Sequence, residues 1–268
     1  MTSGKRKILN HLLRVWPYGS VAVTSWLKSQ GAYQQLVHEY EKSGWVRRIG
    51  RGAYARAGDS VEWSGGLYAI QSQLGLPVHV ADKSALQLQG YAHFLAFGPG
   101  NTLSLFGLPG TRLPAWFYQM DWGVPFRYIS SKLFSEEAGI AMTQKTTGSF
   151  SIKISAPERA IMEVLYLVPK YESFEESGLL MESLTTLRPK LVQSLLEQCS
   201  SIKVKRLFLY LAEKNNHAWL DKLDLEKISL GKGKRSIVKG GRLNPKYNIT
   251  VPLSIDSTPL ETEERHQA

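Results

Sequence analysis

Gln34, Gln35 and His38 lie close together, and Arg47, Arg48 and Arg51 follow soon after. A glutamine amide can pair bidentately with an adenine edge in the major groove. Arginines nearby can reach phosphates or a minor groove. The chemistry these types and spacings offer is recognition rather than bond making. The same residues also fit a plainer reading, a solvated surface helix beside a basic hairpin that keeps the domain in solution.

Residue patterns for catalysis are mostly missing. The six histidines are scattered at His11, His38, His79, His93, His217 and His266, with no HExxH and no close zinc-spacing pair. No G-x-S-x-G elbow and no G-x-x-x-x-G-K-[ST] loop occurs. Gly231-Lys232-Gly233-Lys234 resembles a phosphate loop in composition only. Glu158 and Glu163 share a helix but not a face. Glu158 is expected to cap that helix, and Glu163 is expected to be a solvated surface residue. One cysteine, Cys199, allows no internal disulfide and no multi-cysteine metal site, which suits a reducing cytoplasm. No catalytic residue, metal site or cofactor is expected.

The elements that must carry the recognition residues can be read from Val23 to Tyr54. Thr24 is a good N-cap for a short helix bearing Trp26 and Leu27. Gln30-Gly31 supplies a turn. A second helix from about Ala32 to Ser43 stops at Gly44. Its Leu36, Val37 and Tyr40, with Tyr33 at its start, fall at helical spacing and face a small core. Gln34, Gln35, His38, Glu41 and Lys42 then face outward. Trp45 to Ile49 and Ala53 to Arg56, joined by Gly50-Arg51-Gly52, form a hairpin with a cationic tip. Helix, turn, helix and hairpin is the order of a winged helix-turn-helix. A preceding helix over Lys5 to Val15, with Ile8, Leu12 and Val15 on its buried face, packs behind the pair.

The chain of 268 residues, 43% of them hydrophobic, can bury sizeable cores. Its formal net charge is +10. Residues 1–60 hold 10 Lys+Arg against 3 Asp+Glu, and residues 201–247 hold 12 against 4. Residues 61–200 are close to neutral, with 10 against 12. Two basic zones around a neutral body favour an anionic partner. The second zone comprises Lys203, Lys205 and Arg206 on one helix, and Lys232, Lys234, Arg235, Lys239 and Arg242 in a glycine-rich end. Those residues form either an anion- or partner-binding surface or a solvated one. The basic, then apolar N-terminus is interrupted by Asn10, His11 and Arg14, unlike a signal peptide, and no apolar run is long enough to span a membrane.

The expected fold class is α+β: a winged helix-turn-helix over 1–58, a mixed α/β body over 59–170, and a largely helical basic region over 171–268. In the body, Trp63 to Leu74 reads as a helix and Val78 to Ala81 as a strand. Asp82 caps a helix through Gln89. Leu103 to Leu108, Phe126 to Ile129 and Phe150 to Ile154 read as strands. The loops at 97–101 and 108–114 are turn-rich, and Glu136 to Met142 is ambiguous. Ser155 and Glu158 have capping-box spacing at the head of a helix whose buried face is Ile161, Met162, Leu165 and Tyr166. Helices are then expected over Glu175 to Leu187, Pro189 to Cys199, Lys203 to Asn215 and Ala218 to Lys227. Two short β-prone runs follow in 230–252, and an acidic tail from Pro259 that is expected to be disordered.

In that order, GWVRRIGRGAY (44–54), DKSALQLQG (82–90) and ISAPERAIMEVL (154–165) make the chain resemble the AbiEi-type antitoxins of bacterial type IV toxin–antitoxin systems, which are linked to abortive phage infection. The resemblance implies a winged domain that binds operator DNA, typically inverted repeats, and represses its own operon. It also implies a C-terminal part that neutralises a cognate nucleotidyltransferase toxin, with or without stable contact. Base reading falls on Gln34, Gln35 and His38, flanked by Tyr33 and Lys42. Contacts to phosphates or by the wing fall on Lys28, Arg47, Arg48 and Arg51. The chain does not look like the toxin itself, because Gly148-Ser149 is not followed by paired aspartates. Two other readings stay open. One is a ligand-sensing regulator with its pocket in 61–200. The other is a winged-helix nuclease using Asp121, for which the run around Lys153 lacks a carboxylate.

Overall fold

The computed structural model describes residues 3–91, 102–134 and 139–253. The turn-rich loop at 97–101 and the acidic tail lie outside these, as do residues 136–138 of the ambiguous run to Met142.

The N-terminal part is a winged helix-turn-helix. Helix α1 (Ser3–Val15) leads through strand β1 (Ala22–Val23) into α2 (Thr24–Ser29) and α3 (Gln34–Lys42), then strands β2 (Val46–Gly50) and β3 (Ala53–Arg56). The strands form a sheet in the order β1-β3-β2. Leu36, Val37 and Tyr40 of α3 are buried, together with Leu27 and Val46. On α1 the buried residues are Leu9 and Leu12, followed by Trp16, whereas Val15 is 39% exposed. The buried face is thus turned by about one residue from the expected one, because Trp16 closes the helix and brings the largest apolar surface to it. Its indole N–H donates to the Ser20 carbonyl at 3.0 Å. Thr24 is the first residue of α2 rather than its cap, a place taken by Val23. Its amide donates instead to the Gly52 carbonyl at 2.9 Å, tying α2 to the wing turn. Tyr33 is half-exposed and outside the core.

The body is built on a five-stranded mixed sheet. Helix α4 (Trp63–Tyr68) runs into a π-helical turn (Ala69–Gln73), strand β4 (Val78–Val80) and helix α5 (Asp82–Leu88). Then come β5 (Leu103–Gly107), α6 (Ala115–Gln119), β6 (Phe126–Ser130), β7 (Met142–Thr147), β8 (Phe150–Ser155) and α7 (Pro157–Leu167). The sheet order is β6-β5-β4-β8-β7. β5 is buried at every position, as a strand covered on both faces must be. β7, with Lys145, forms a polar edge. Helix α7 is buried nearly all round.

Ser155 does not cap α7. It ends β8 and donates its hydroxyl to Glu163 at 2.6 Å, while Ala156 takes the cap position. Glu158 is 2% exposed and accepts from Arg188 Nε at 2.9 Å and Nη2 at 3.0 Å, so it is an ion-pair partner and not a cap. Asp82 follows a cap position held by Ala81, although its side chain does accept from the Ser84 amide at 3.1 Å.

Helices α8 (Phe174–Ser183), α9 (Pro189–Gln198) and α10 (Ile202–Lys214) follow as expected. Beyond α10 the helical expectation fails. Residues 218–227 make only two 3-10 turns, Leu220–Lys222 and Leu225–Lys227. The glycine-rich end folds as a second three-stranded sheet of β9 (Arg235–Ser236), β10 (Arg242–Asn244) and β11 (Ile249–Val251). β11 lies centrally, antiparallel to β10 and parallel to β9, with Ile249 and Val251 buried. Among the described residues no helix is long and apolar enough to cross a membrane.

The winged helices have a core of their own, while Val21, Val23 and Ala53 of the winged part join the core of the body. The Gln73 side chain, on the π turn, accepts from the Val23 amide at 2.9 Å and donates to the Val21 carbonyl at 2.8 Å. Gly50 of the wing lies so close to α6 that a Cβ there would meet Trp116 Cβ at 2.6 Å. Gly50→Ala should therefore lower stability by about 1–3 kcal/mol through overpacking. Gly4→Ala, with nothing within 4 Å, should be neutral or stabilising. Equal urea midpoints for the two variants would show that the wing is not seated on α6.

Candidate nucleic-acid interface

Helix α3 presents two opposed faces. Behind it, Leu36, Val37 and Tyr40 are closed into the core, and the Tyr40 hydroxyl donates to the Lys5 carbonyl at 2.6 Å. In front, Tyr33, Gln34, Gln35, His38 and Lys42 are all exposed, as is Lys28 on α2. Neither Gln34 nor Gln35 makes a side-chain hydrogen bond among the described residues, so both amides are free to pair outward. His38 lies 3.6 Å from Glu41.

The wing adds the cations. Arg47, Arg48 and Arg51 are exposed, with Arg51 in the turn whose Gly52 has φ +78°. Arg48 reaches back to the Gly50 carbonyl at 3.2 Å, and Arg47 donates to the Asp59 carbonyl at 3.2 Å. Arg51 makes no such bond among the described residues and is the least restrained of the three. Trp45, 46% exposed at the foot of β2, adds an aromatic that sequence reasoning had placed only as part of a strand. On α1, Lys5 is engaged by Glu39 at 2.6 Å.

The second basic zone divides. Lys203, Lys205 and Arg206 are turned into the fold rather than toward a partner. Lys203 donates to the carbonyls of Tyr166, at 2.8 Å, and Val168. Burial lowers its pKa. Lys205 is 4% exposed, with the Glu197 carbonyl 3.5 Å away. Arg206 is 3% exposed and donates to four carbonyls, those of Leu230, Gly231, Gly233 and Asn248, at 2.6–3.2 Å. These three are internal braces: Lys203 holds the end of α7, Lys205 faces α9, and Arg206 alone meets main-chain oxygens of the C-terminal segment. Lys232, Lys234, Arg235, Lys239 and Arg242 remain exposed on and around that sheet.

Sequence reasoning missed a buried polar cluster in the body. Glu163, 0% exposed, accepts from His79 Nε2 at 3.0 Å and Arg159 Nε at 2.8 Å through one oxygen. The other oxygen takes the Ser155 hydroxyl and the Asp82 amide. The expectation of a solvated Glu163 fails because α7 has no solvated face. Burial pushes this carboxyl up, but His79, Arg159 and Ser155 outweigh it and hold it at about 2. Asp82 has no such cations, and burial pushes it up to about 7. One signal was available in the sequence. Arg159 and Glu163 stand i,i+4 in a helix apolar on every other side, where a charge is retained only if paired. Cys199 is buried as well, and burial pushes its thiol up to about 11, away from reactivity.

Beside this cluster opens a cavity of about 310 Å³, bordered by His79, Lys153, Arg159 and Glu163 and by apolar side chains of the sheet. Asp121 is not part of it. That residue closes a turn by accepting from the Gly123 amide at 2.9 Å and borders a different cleft from Lys153. Among the described residues no group of three His, Cys, Asp or Glu side chains is arranged to hold a metal ion.

Two family models match in tandem. Residues 5–97 match the N-terminal domain described as "Transcriptional regulator, AbiEi antitoxin". Residues 100–252 match "Transcriptional regulator, AbiEi antitoxin, Type IV TA system". Among solved structures the chain is similar in fold to the RV2827C protein from Mycobacterium tuberculosis. The TM-score is 0.58 at 14% identity, over 93% of this chain and 91% of that one. No curated protein matches.

Proposed function

Since the chain belongs to the AbiEi family of antitoxins and transcriptional regulators of type IV toxin–antitoxin systems, we propose that its winged domain binds operator DNA before its own operon and represses it. In this reading α3 enters the major groove. Gln34, Gln35 and His38 face base edges there, with Tyr33 and Lys42 beside them. Lys28, Arg47, Arg48 and Arg51 hold the phosphates or reach a minor groove. The operator is an inverted repeat. The body and C-terminal region, with the exposed cations from Lys232 to Arg242, counteract a cognate nucleotidyltransferase toxin in the bacterial cytoplasm.

The observation that carries the DNA reading is the outward face of α3. Gln34 and Gln35, without internal side-chain partners among the described residues, stand on a helix anchored by a buried opposite face, next to three exposed wing arginines. The test is a titration of full-length protein against DNA from immediately upstream of its gene, beside a scrambled duplex, at two salt concentrations. Tighter binding to the upstream duplex supports an operator reader, and equal binding to both overturns it. Arg51→Ala should weaken binding to both duplexes and reduce the salt slope by about one phosphate contact. Gln34→Ala should instead cost about 1–3 kcal/mol on the operator alone and relax its base preference. An unchanged salt slope would remove Arg51 from the backbone, and unchanged discrimination would remove Gln34 from the reading face. Co-expression with the neighbouring toxin gene, scored by growth, tests the antitoxin role.

A further inference from the structure

We propose that the cavity beside β4 and β8 is a binding site for a small apolar carboxylate. Its volume of about 310 Å³ lies at the lower end of small-molecule pockets. Leu76, Phe106, Leu133, Phe134 and Met142 supply apolar walls. Its polar lining groups are His79, Ser131, Lys153, Arg159 and Glu163. His79 is 8% exposed, and its Nε2 is committed to Glu163 at 3.0 Å. Its Nδ1 makes no hydrogen bond among the described residues and is left for a ligand. The ammonium group of Lys153 likewise has no ion-pair partner among the described residues.

The charges of the lining favour an anion. Lys153 and Arg159 are cationic, and Glu163 is the anionic group beside them. Glu163 is held by Arg159, so among the described lining residues the positive charge of Lys153 is the one left over. The main chain of Lys153 is braced, while its side chain is exposed. The Gln71 side chain accepts from its amide at 2.8 Å and donates to its carbonyl at 3.0 Å. The same Gln71 nitrogen donates to the Val78 carbonyl at 2.8 Å, joining the two strands that border the cavity. A site lined by apolar walls, with one exposed cation on a braced strand and one imidazole nitrogen, matches a carboxylate on a ring or short chain. A dianion would leave its second charge against the walls, and an amine would meet Lys153.

The experiment is calorimetric titration of the full-length protein with 1-naphthoate and, separately, with its neutral isostere 1-naphthamide. Naphthoate should bind at one site per chain, about tenfold tighter than the amide, the worth of one charge-assisted hydrogen bond. Lys153→Met should bring the two ligands to equal affinity. Met142→Trp, at a half-exposed position on the cavity wall, should abolish binding of both. Leu108→Trp on the opposite lip does the same should Met142→Trp fail to fold. Absence of naphthoate binding, equal wild-type affinity for acid and amide, or undiminished binding by a folded tryptophan variant would each overturn the proposal. DNA takes no part in the measurement, so failure of the operator reading leaves this result standing.

Discussion

Arg206→Leu should release the C-terminal sheet and lower the stability of the chain by about 3–5 kcal/mol, as breaking a buried charged network does. The guanidinium is the common donor to the carbonyls of Leu230, Gly231, Gly233 and Asn248. Those oxygens belong to the two ends of the glycine-rich segment, which has few apolar side chains of its own. Removing the donor leaves four part-buried carbonyls without it and a gap where a buried side chain stood. Limited trypsin digestion reads the result directly, since Lys232, Lys234 and Arg235 lie in the freed segment and should be cut faster. Arg206→Lys should not rescue, because an ammonium is a single point and cannot span acceptors that a planar fork reaches from both sides. Unchanged digestion and melting in Arg206→Leu would show that the sheet is held by Ile249 and Val251 alone.

Glu163→Ala should cost a similar amount, about 3–5 kcal/mol, because it leaves Arg159 buried without its counter-charge. Its pH dependence separates it from an ordinary cavity. With its folded-state pKa near 2 against an ordinary 4.5, Glu163 contributes its full stabilisation above about 4.5 and loses it as pH falls toward 2. Asp82 acts in the opposite sense. Its pKa near 7 against 3.8 means that it destabilises the fold when ionised, so stability rises as pH falls from about 7 to 4. The wild-type protein should therefore be most stable in mildly acidic buffer. Glu163→Gln should flatten the acid limb while leaving the Asp82 limb in place. Urea midpoints across this pH range check both, and an acid limb as steep in the variant as in the wild type would remove Glu163 as its source.

Local signals made the winged part legible. Gln30-Gly31 and Gly50-Arg51-Gly52 punctuate it, and the apolar spacing of Leu36, Val37 and Tyr40 gives the helix face from neighbours a few residues apart. The strands around Val78, Leu105 and Ile154 were legible for the same reason. The role of Glu163 was not, because its partners come from three other segments, at His79, Asp82 and Ser155, brought together only by β4 pairing with β8. Arg206 was misread for a related reason. In sequence it belongs to a basic run, and the oxygens that neutralise it are main-chain atoms without a sequence signature. The expected helix over residues 218–227 had apolar residues at suitable spacing, but the chain there breaks into two 3-10 turns.

The seating of Gly50 against Trp116, with Gln73 clamping β1, fixes the angle between the wing and the rest of the chain. On the proposed operator reading, a winged domain held this way cannot swivel to follow its site around the double helix. If two copies bind an inverted repeat, as proposed, the distance between half-sites should be set by the bodies and not by a tether. Inserting about five base pairs between the half-sites would carry one of them to the far side of the duplex, about half a helical turn away. A chain with a loose hinge would tolerate that change of phase. This one should lose the second contact and return to single-site affinity until a full turn is restored.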